Sequence, residues 1–390
     1  MKKRHSMSVG AILYGHPDCP ITPVPVHQGD HKGSPLRMKF MHVLIAAVAA
    51  VSIITSTACN APGSGNTGSG NTGPVAPSPT SKARQGMPSP TASRSQGIAS
   101  PTANAGSKEM RRPWSAIHNW TYWLNNPNLQ QLAATNFELI VVDYSADGSA
   151  PRAFSSAQIH TLRNATCQRR VMAYLSIGQA ESYRGYWQQG WRQGTPAWLD
   201  APDPNWANNY WVHYWDSAWQ QIIYRYIDDI IAAGFDGIYL DRVDAYEESY
   251  AAGHEDDMVR FIMNLAHYGR VHSPLGEDFG VIVQNAENLA MKHKDYVQTV
   301  TGIGREEVYI QATNRPTSAS ERTDAESLLD IFRQNSRGKL VLTIDYANQA
   351  DLINTAYNQS RVKAYIPYVA PVGLDRLQMN VGYEPTCRSI

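Results

Sequence analysis

FDGIYLDRV, residues 235–243, sets an apolar, β-branched run against an aspartate at its C-terminal end. A buried carboxylate in such a strand is costly unless it has a function or a partner. Seven other runs of the same kind surround it: WSAIHNW (114–120), FELIVVDY (137–144), RRVMAYLSIG (169–178), FGVIVQNA (279–286), GIGREEVYI (302–310), KLVLTIDYA (339–347) and RVKAYIPYVA (361–370). Helical patterns separate them at about 206–233, 255–272, 325–334 and 349–358. Short strands alternating with helices predict βα units on a parallel sheet. Eight strands within residues 111–390 predict a (β/α)8 TIM barrel, usually ~250 residues in size. An open doubly wound sheet would want GxGxxG after its first strand. The nearest stretch, GIGRE at 302–306, lacks the third glycine.

A barrel builds its site at the C-terminal strand ends. The polar residues expected there are His118 and Asn119, Asp143, Glu181, Asp241 and Asp244, Asn285 and Glu287, Glu306 and Glu307, and Asp345. Carboxylates and amides dominate. No strand carries HxH, so no metal centre and no cofactor are expected. No GxSxG elbow occurs either. Two-carboxylate chemistry remains, which is the chemistry of glycoside hydrolysis.

The aromatics agree with a saccharide cleft. The chain has 10 Trp and 21 Tyr against 7 Phe, so most of its rings carry a polar tip. Seven of the ten Trp lie between 187 and 219. Trp211, Trp215 and Trp219 recur at the spacing of one helix face and are assigned to packing. Tyr183, Trp187 and Trp191 follow the third strand and are expected in the cleft, where rings stack on the C–H faces of sugars.

Composition bounds the remaining classes. The chain has 390 residues, 43% hydrophobic and 17% charged, with 34 basic and 34 acidic side chains. Zero net charge argues against a nucleic-acid partner. MKFMHVLIAAVAAVSIITSTAC, residues 38–59, is a secretory signal pattern: a basic start, a short apolar run, then small residues before Cys59. It resembles a bacterial lipoprotein signal, which implies lipidation at Cys59 and a membrane partner through that anchor alone. Translation is read as starting at Met38 or Met41. Residues 60–110, rich in Gly, Ser, Thr and Pro and containing GSGNTGSGNTG, are read as a flexible tether. The working domain is then 111–390, a monomer held outside the cytoplasm. Cys167 and Cys387 are its only cysteines, and whether they pair is left open by sequence.

Six stretches in order resemble glycoside hydrolase family 114, the endo-α-1,4-polygalactosaminidases and their bacterial relatives. They are AYLSIGQAESYRGYW (173–187), YWVHYWDSAWQ (210–220), GFDGIYLDRVDAYE (234–247), VIVQNAE (281–287), GIGREEVYI (302–310) and LTIDYA (342–347). The resemblance spans 112–372 and implies hydrolysis of α-1,4-linked galactosamine polymers by a retaining carboxylate pair. It implies Asp241 as nucleophile and Glu306 as acid/base, with Glu307 as the fallback if the register slips by one. Asp143 and Glu181 match other rim acids, and Tyr183, Trp187, Asp244, Asn285, Asp345 and Tyr346 complete the expected substrate contacts. Where the family often has acids, Gln179 and Tyr239 stand here. A rim of Asp241, Asp244, Glu247, Glu248, Glu306 and Asp345 is expected to attract an ammonium-bearing polymer. Alternation along the strands is expected to turn Arg242 and Arg305 away from it. An endo-glycosidase of another exopolysaccharide or cell-wall glycan, or a non-catalytic polysaccharide-binding lipoprotein, would use the same features.

Overall fold

The structure is a computed structural model that describes residues 110–335 and 338–390. The signal-like segment, Cys59 and the tether up to residue 109 lie outside the described residues. Eight parallel strands form one sheet in chain order: β1 (Trp120–Trp123), β2 (Leu139–Asp143), β3 (Arg170–Ser176), β4 (Gly237–Asp241), β5 (Gly280–Gln284), β6 (Gly302–Glu306), β7 (Leu340–Tyr346) and β8 (Ile366–Ala370). Seven helices cover it: α1 (Leu129–Ala133), α2 (Ser156–Arg163), α3 (Ser217–Ala232), α4 (Glu255–His272), α5 (Lys294–Thr299), α6 (Ala319–Arg333) and α7 (Ala350–Val362). This is the (β/α)8 barrel expected from the alternation.

The register fixes which side chains face inward. Parallel pairing aligns Tyr174 with Tyr239, Tyr239 with Ile282, Gln284 with Gly304, and Glu306 with Ile344. Alternation then sends Tyr174, Tyr239, Asp241, Gly304, Glu306 and Tyr346 to the interior. Rings fill much of that interior. Tyr122 lies 5.2 Å from Tyr239, and Trp120 lies 5.9 Å from Tyr368. Space for them comes from glycine: a Cβ on Gly304 would sit 1.9 Å from the Tyr239 hydroxyl. A side chain there would evict the tyrosine.

The seam between β8 and β1 is joined differently. Trp120 Nε1 donates to the Ile366 carbonyl at 2.9 Å. The segment after β8 then straps the seam from outside. At its upper end the Leu374 carbonyl accepts from Leu124 N and Asn125 N. At its lower end Asn119 Nδ2 donates to the Thr386 carbonyl at 3.0 Å, and Cys387 is disulfide-bonded to Cys167. The two cysteines left open by sequence are therefore paired.

Three sequence expectations are corrected. The first strand is Trp120–Trp123, because 114–116 form a 3-10 turn after Pro113. His118 and Asn119 consequently lie before the strand, bonded to Glu138 at 2.7 and 2.8 Å, and not at the mouth. Residues 361–362 of the last predicted strand belong to α7. The helix expected from 206 begins at Ser217, capped by Asp216. Ahead of it runs a three-stranded antiparallel sheet of Gln179–Glu181, Leu199–Pro202 and Asn209–Val212. Trp211 is in that sheet and Trp215 precedes α3, so the three tryptophans share no helix face. They are packed nonetheless.

Candidate active site

Asp241 ends β4 and Glu306 ends β6, both on the inward face. Asp241 Oδ2 accepts from the Tyr174 hydroxyl at 2.6 Å, and Oδ1 accepts from Arg242 N at 2.7 Å. Glu306 Oε1 accepts from the Tyr346 hydroxyl, and Oε2 from Asn285 Nδ2 at 3.1 Å. Asn285 Oδ1 also accepts from Glu306 N at 3.2 Å, so one amide holds both ends of the glutamate. Each carboxylate is thus aimed by one tyrosine from a neighbouring part of the barrel. Burial, then the charge of Glu306, pushes the Asp241 carboxyl up to about 7, against the downward pull of Arg242 and Tyr174. Burial and these same charges keep the Tyr174 and Tyr346 hydroxyls protonated, so both remain donors.

Asp143 and Glu181 are buried and share one cation that the sequence reading missed. Arg184 donates Nη1 to Asp143 at 2.7 Å and Nε to Glu181 at 2.6 Å. Tyr183, 43% exposed, donates its hydroxyl to Glu181 at 2.6 Å and covers the guanidinium at 5.1 Å. Burial still leaves Asp143 above the usual carboxylate range, with Arg184 opposing it. Arg184 stands inside AESYRGYW. Two acids expected within reach of one short loop were the available signal for a compensating cation.

Other expected residues fall in different places. Asp244 is half-buried on the 3-10 turn after β4 and raises the Asp241 carboxyl through its charge. Glu307 has a left-handed backbone (φ 59°), and its carboxylate accepts from Ala312 N at 2.6 Å, away from the pair. Asp345 is corrected more sharply. It faces outward, fully buried, and accepts from Tyr309 N and Ile310 N at 2.7 and 2.8 Å. It acts by holding that loop, and burial pushes it up to about 7. Its neighbour Tyr346 is the inward residue. Trp187 packs edge to face on Trp191 and tilted against Tyr210, at 5.3 and 5.0 Å, beside α3. Gln179 is buried and donates to Asp203 at 2.6 Å.

Of the two arginines, Arg242 differs from expectation. Arg242 adopts a left-handed backbone (φ 57°), so strand alternation no longer governs it. Its guanidinium pairs with Asp203 at 2.6 Å and lies 4.5 Å over Trp211. Arg305 pairs with Glu287 at 2.8 Å and donates to the Glu306 carbonyl at 2.6 Å. The mouth is therefore less negative than its acids suggest. Asp143 with Glu181, Asp203, and Glu287 each have an arginine, whereas Asp241, Glu306, Asp244 and Glu247 have no ion pair among the described residues.

One further group of metal-ligand type lies elsewhere. Ligand atoms of Glu255, Asp256 and His293 come within 4.8 Å of one another beside α4. Lys292 already donates to both Glu255 oxygens, at 2.9 and 3.1 Å.

Comparison with known proteins puts this geometry in a family. Residues 99–387 match glycoside-hydrolase family GH114. An uncharacterized protein of Deinococcus radiodurans is 40% identical over 270 residues, covering 68% of this chain and 84% of its own. One from Methanocaldococcus jannaschii is 36% identical over 265 residues, 64% of this chain and 75% of its own. The glycoside hydrolase domain of PelA from Pseudomonas aeruginosa aligns with a TM-score of 0.51 at 16% identity, covering 66% of this chain and 96% of that one. Aspergillus fumigatus Ega3, solved in complex with galactosamine, aligns with a TM-score of 0.51 at 18% identity, covering 68% and 96%. At such identities these two support the fold.

Proposed function

Because this chain belongs to glycoside-hydrolase family GH114, we propose that it hydrolyses an α-1,4-linked, galactosamine-containing polysaccharide with Asp241 and Glu306. The observation that carries the reading is the pair itself: two inward carboxylates at the ends of β4 and β6, coupled by charge, each held by a tyrosine hydroxyl. In a retaining sequence Asp241 attacks the anomeric carbon while Glu306 gives its proton to the departing glycosidic oxygen. Water then attacks the glycosyl–Asp241 ester, losing its proton to Glu306, and Asp241 leaves as carboxylate. Tyr174 and the Arg242 N–H each hold one oxygen of the attacking carboxylate. Asn285 and Tyr346 fix the acid. Asp244 and Tyr183 are the side chains proposed to meet the sugar beside them. The galactosamine bound to Ega3 supports the sugar class.

Charge supports an ammonium-bearing substrate. Asp241, Glu306, Asp244 and Glu247 leave the mouth negative after the arginines are counted. Steering of this kind weakens as the Debye length shortens from ~10 Å at 0.1 M salt to ~3 Å at 1 M. Product sizing with the full chain on partially deacetylated polygalactosamine, chitosan and α-1,4-galactan is expected to show cleavage of the first. kcat/KM on that polymer is expected to fall with ionic strength and to stay flat on its N-acetylated form. Equal salt dependence, or faster cleavage of the acetylated chain, would reject the cationic substrate in favour of a neutral glycan.

The proposed location is outside the cytoplasm, on a lipid anchor at Cys59. The Cys167–Cys387 disulfide supports an oxidising compartment. Cys59→Ser is expected to move the protein from the membrane fraction to the soluble one with activity unchanged. Persistent membrane association would point to an uncleaved anchor instead.

A further inference from the structure

A cleft of about 550 Å³ opens on the flank of the barrel, between the β3–α3 connection and the first half of α3. Tyr186, Trp187, Trp191 and Trp198 line one side, and Ile222 and Arg225 of α3 the other. Asp241, Glu306, Asn285 and Tyr346 take no part in it. The rings brace one another edge to face: Trp187 on Trp191 at 5.3 Å, Trp191 on Trp198 at 5.0 Å, and Tyr186 on Trp219 at 5.6 Å. Bracing of this kind fixes a platform before any ligand arrives.

Burial does not account for two of these side chains. Trp187 and Trp191 are only half-buried although they stand among the largest apolar groups available. Their indole N–H groups, and that of Trp198, have no hydrogen-bond partner among the described residues. Three donors beside apolar ring faces suit a pyranose, whose C–H face stacks while its hydroxyl and carbonyl oxygens accept. The charge of the lining selects further. Arg225, exposed at the edge, is its only ionised side chain, and no carboxylate lines the cleft. An ammonium group is repelled there, whereas an acetamido carbonyl is welcome beside a guanidinium and three N–H groups.

We propose that this cleft is a second polysaccharide-binding site that takes an uncharged, N-acetylated hexosamine unit. The identity of the polymer rests on the function proposed above, but the cleft's preference for a neutral sugar does not. The two sites then read opposite chemistries on one chain. The acidic mouth draws in deacetylated stretches, and the flank grips acetylated ones.

The test is calorimetric titration of full-length protein carrying Glu306→Gln with two α-1,4-galactosamine oligomers, one fully N-acetylated and one deacetylated. Adding Trp191→Ala is expected to weaken binding of the acetylated oligomer by about tenfold, the order of one lost aromatic contact. Binding of the deacetylated oligomer is expected to stay the same. Trp191 braces its neighbours, so a surface variant reads the same site independently. Arg225→Glu is expected to give the deacetylated oligomer a second binding event. An unchanged Kd in Trp191→Ala together with no gain in Arg225→Glu overturns the inference. So does a concentration-dependent dimer that Trp191→Ala dissolves, which would mean a second copy covers the cleft. If the parent chain, with Glu306 intact, cuts the deacetylated polymer while the titrations ignore both substitutions, only this inference is lost. If the parent chain cuts nothing but Trp191→Ala still weakens acetylated-oligomer binding, only the proposed function is lost.

Discussion

Asp241→Asn and Glu306→Gln should each abolish most turnover while leaving the barrel folded. Removing a positioned general acid costs ~10²–10⁴ in rate, and removing the attacking carboxylate should cost at least as much. Rates like the parent's in either variant would sink the pair. The two substitutions should differ in stability. The folded-state pKa of Asp241 is raised to about 7, so folding favours its protonated form. That contribution is present at low pH and is lost as pH rises through about 7. Asp241→Asn has no charge to lose, so above pH 7 it should melt higher than the parent, and near pH 4 the gap should close. The same titration assigns roles. If Asp241 attacks, it must be ionised, and kcat/KM on an uncharged glycoside should climb as pH passes about 7. If it is the acid, that limb should fall instead. Tyr174→Phe removes a hydrogen bond that lowers this pKa, so the midpoint should move upward. An unmoved midpoint would assign the limb to another group.

Removing Arg184 should be the most damaging single change near the mouth. Its guanidinium serves both Asp143 and Glu181, and all three are buried. Breaking a buried pair by deleting one partner typically costs about 3–5 kcal/mol, because a charge is left without compensation. Here two charges are left. Arg184→Met keeps much of the volume and should still destabilise by that order at pH 8, read as a fall in denaturant midpoint. Burial already holds Asp143 above its usual range even with the arginine present. Without Arg184 its carboxyl rises further and protonates sooner as pH falls. The deficit should therefore shrink at pH 5. Adding Asp143→Asn and Glu181→Gln to Arg184→Met should restore most of the loss. A deficit that is flat with pH, and not relieved by the triple change, would mean that Arg184 serves packing alone.

Much of the architecture was legible because the barrel strands are continuous apolar runs of the expected length. The inward carboxylate at 241 could be read because it closes such a run, whereas GIGRE holds a single large apolar residue and Glu306 was legible through the resemblance to the family. What failed was parity and local backbone. In LTIDYA two adjacent residues can occupy the mouth position, and only the alignment of Ile344 with Glu306 decides for Tyr346 over Asp345. Arg242 escaped the alternation rule through a left-handed backbone that nothing in LDRVD announces. The spacing of Trp211, Trp215 and Trp219 matched a helix by coincidence, because a strand and a turn intervene. WSAIHNW reads as an apolar run like the others, whereas Pro113 starts a tight turn there. Tyr174 was invisible as a functional residue. An apolar strand gives no hint that one hydroxyl reaches two residues past a neighbouring strand's register to find an aspartate.

The strapped seam has a mechanical meaning. A sheet that joins its last two edges through a tryptophan and an outer strap exchanges its amide protons most readily there, since local opening starts where ladder bonds are fewest. The strands that carry Asp241 and Glu306 flank β5, on the far side of the barrel from that seam. Breathing at β1 and β8 can therefore proceed while the carboxylates keep their spacing. A disulfide fastens one end of the strap, so the clasp is covalent there and hydrogen-bonded elsewhere. The barrel is a clasped ring whose fastening lies opposite its chemistry.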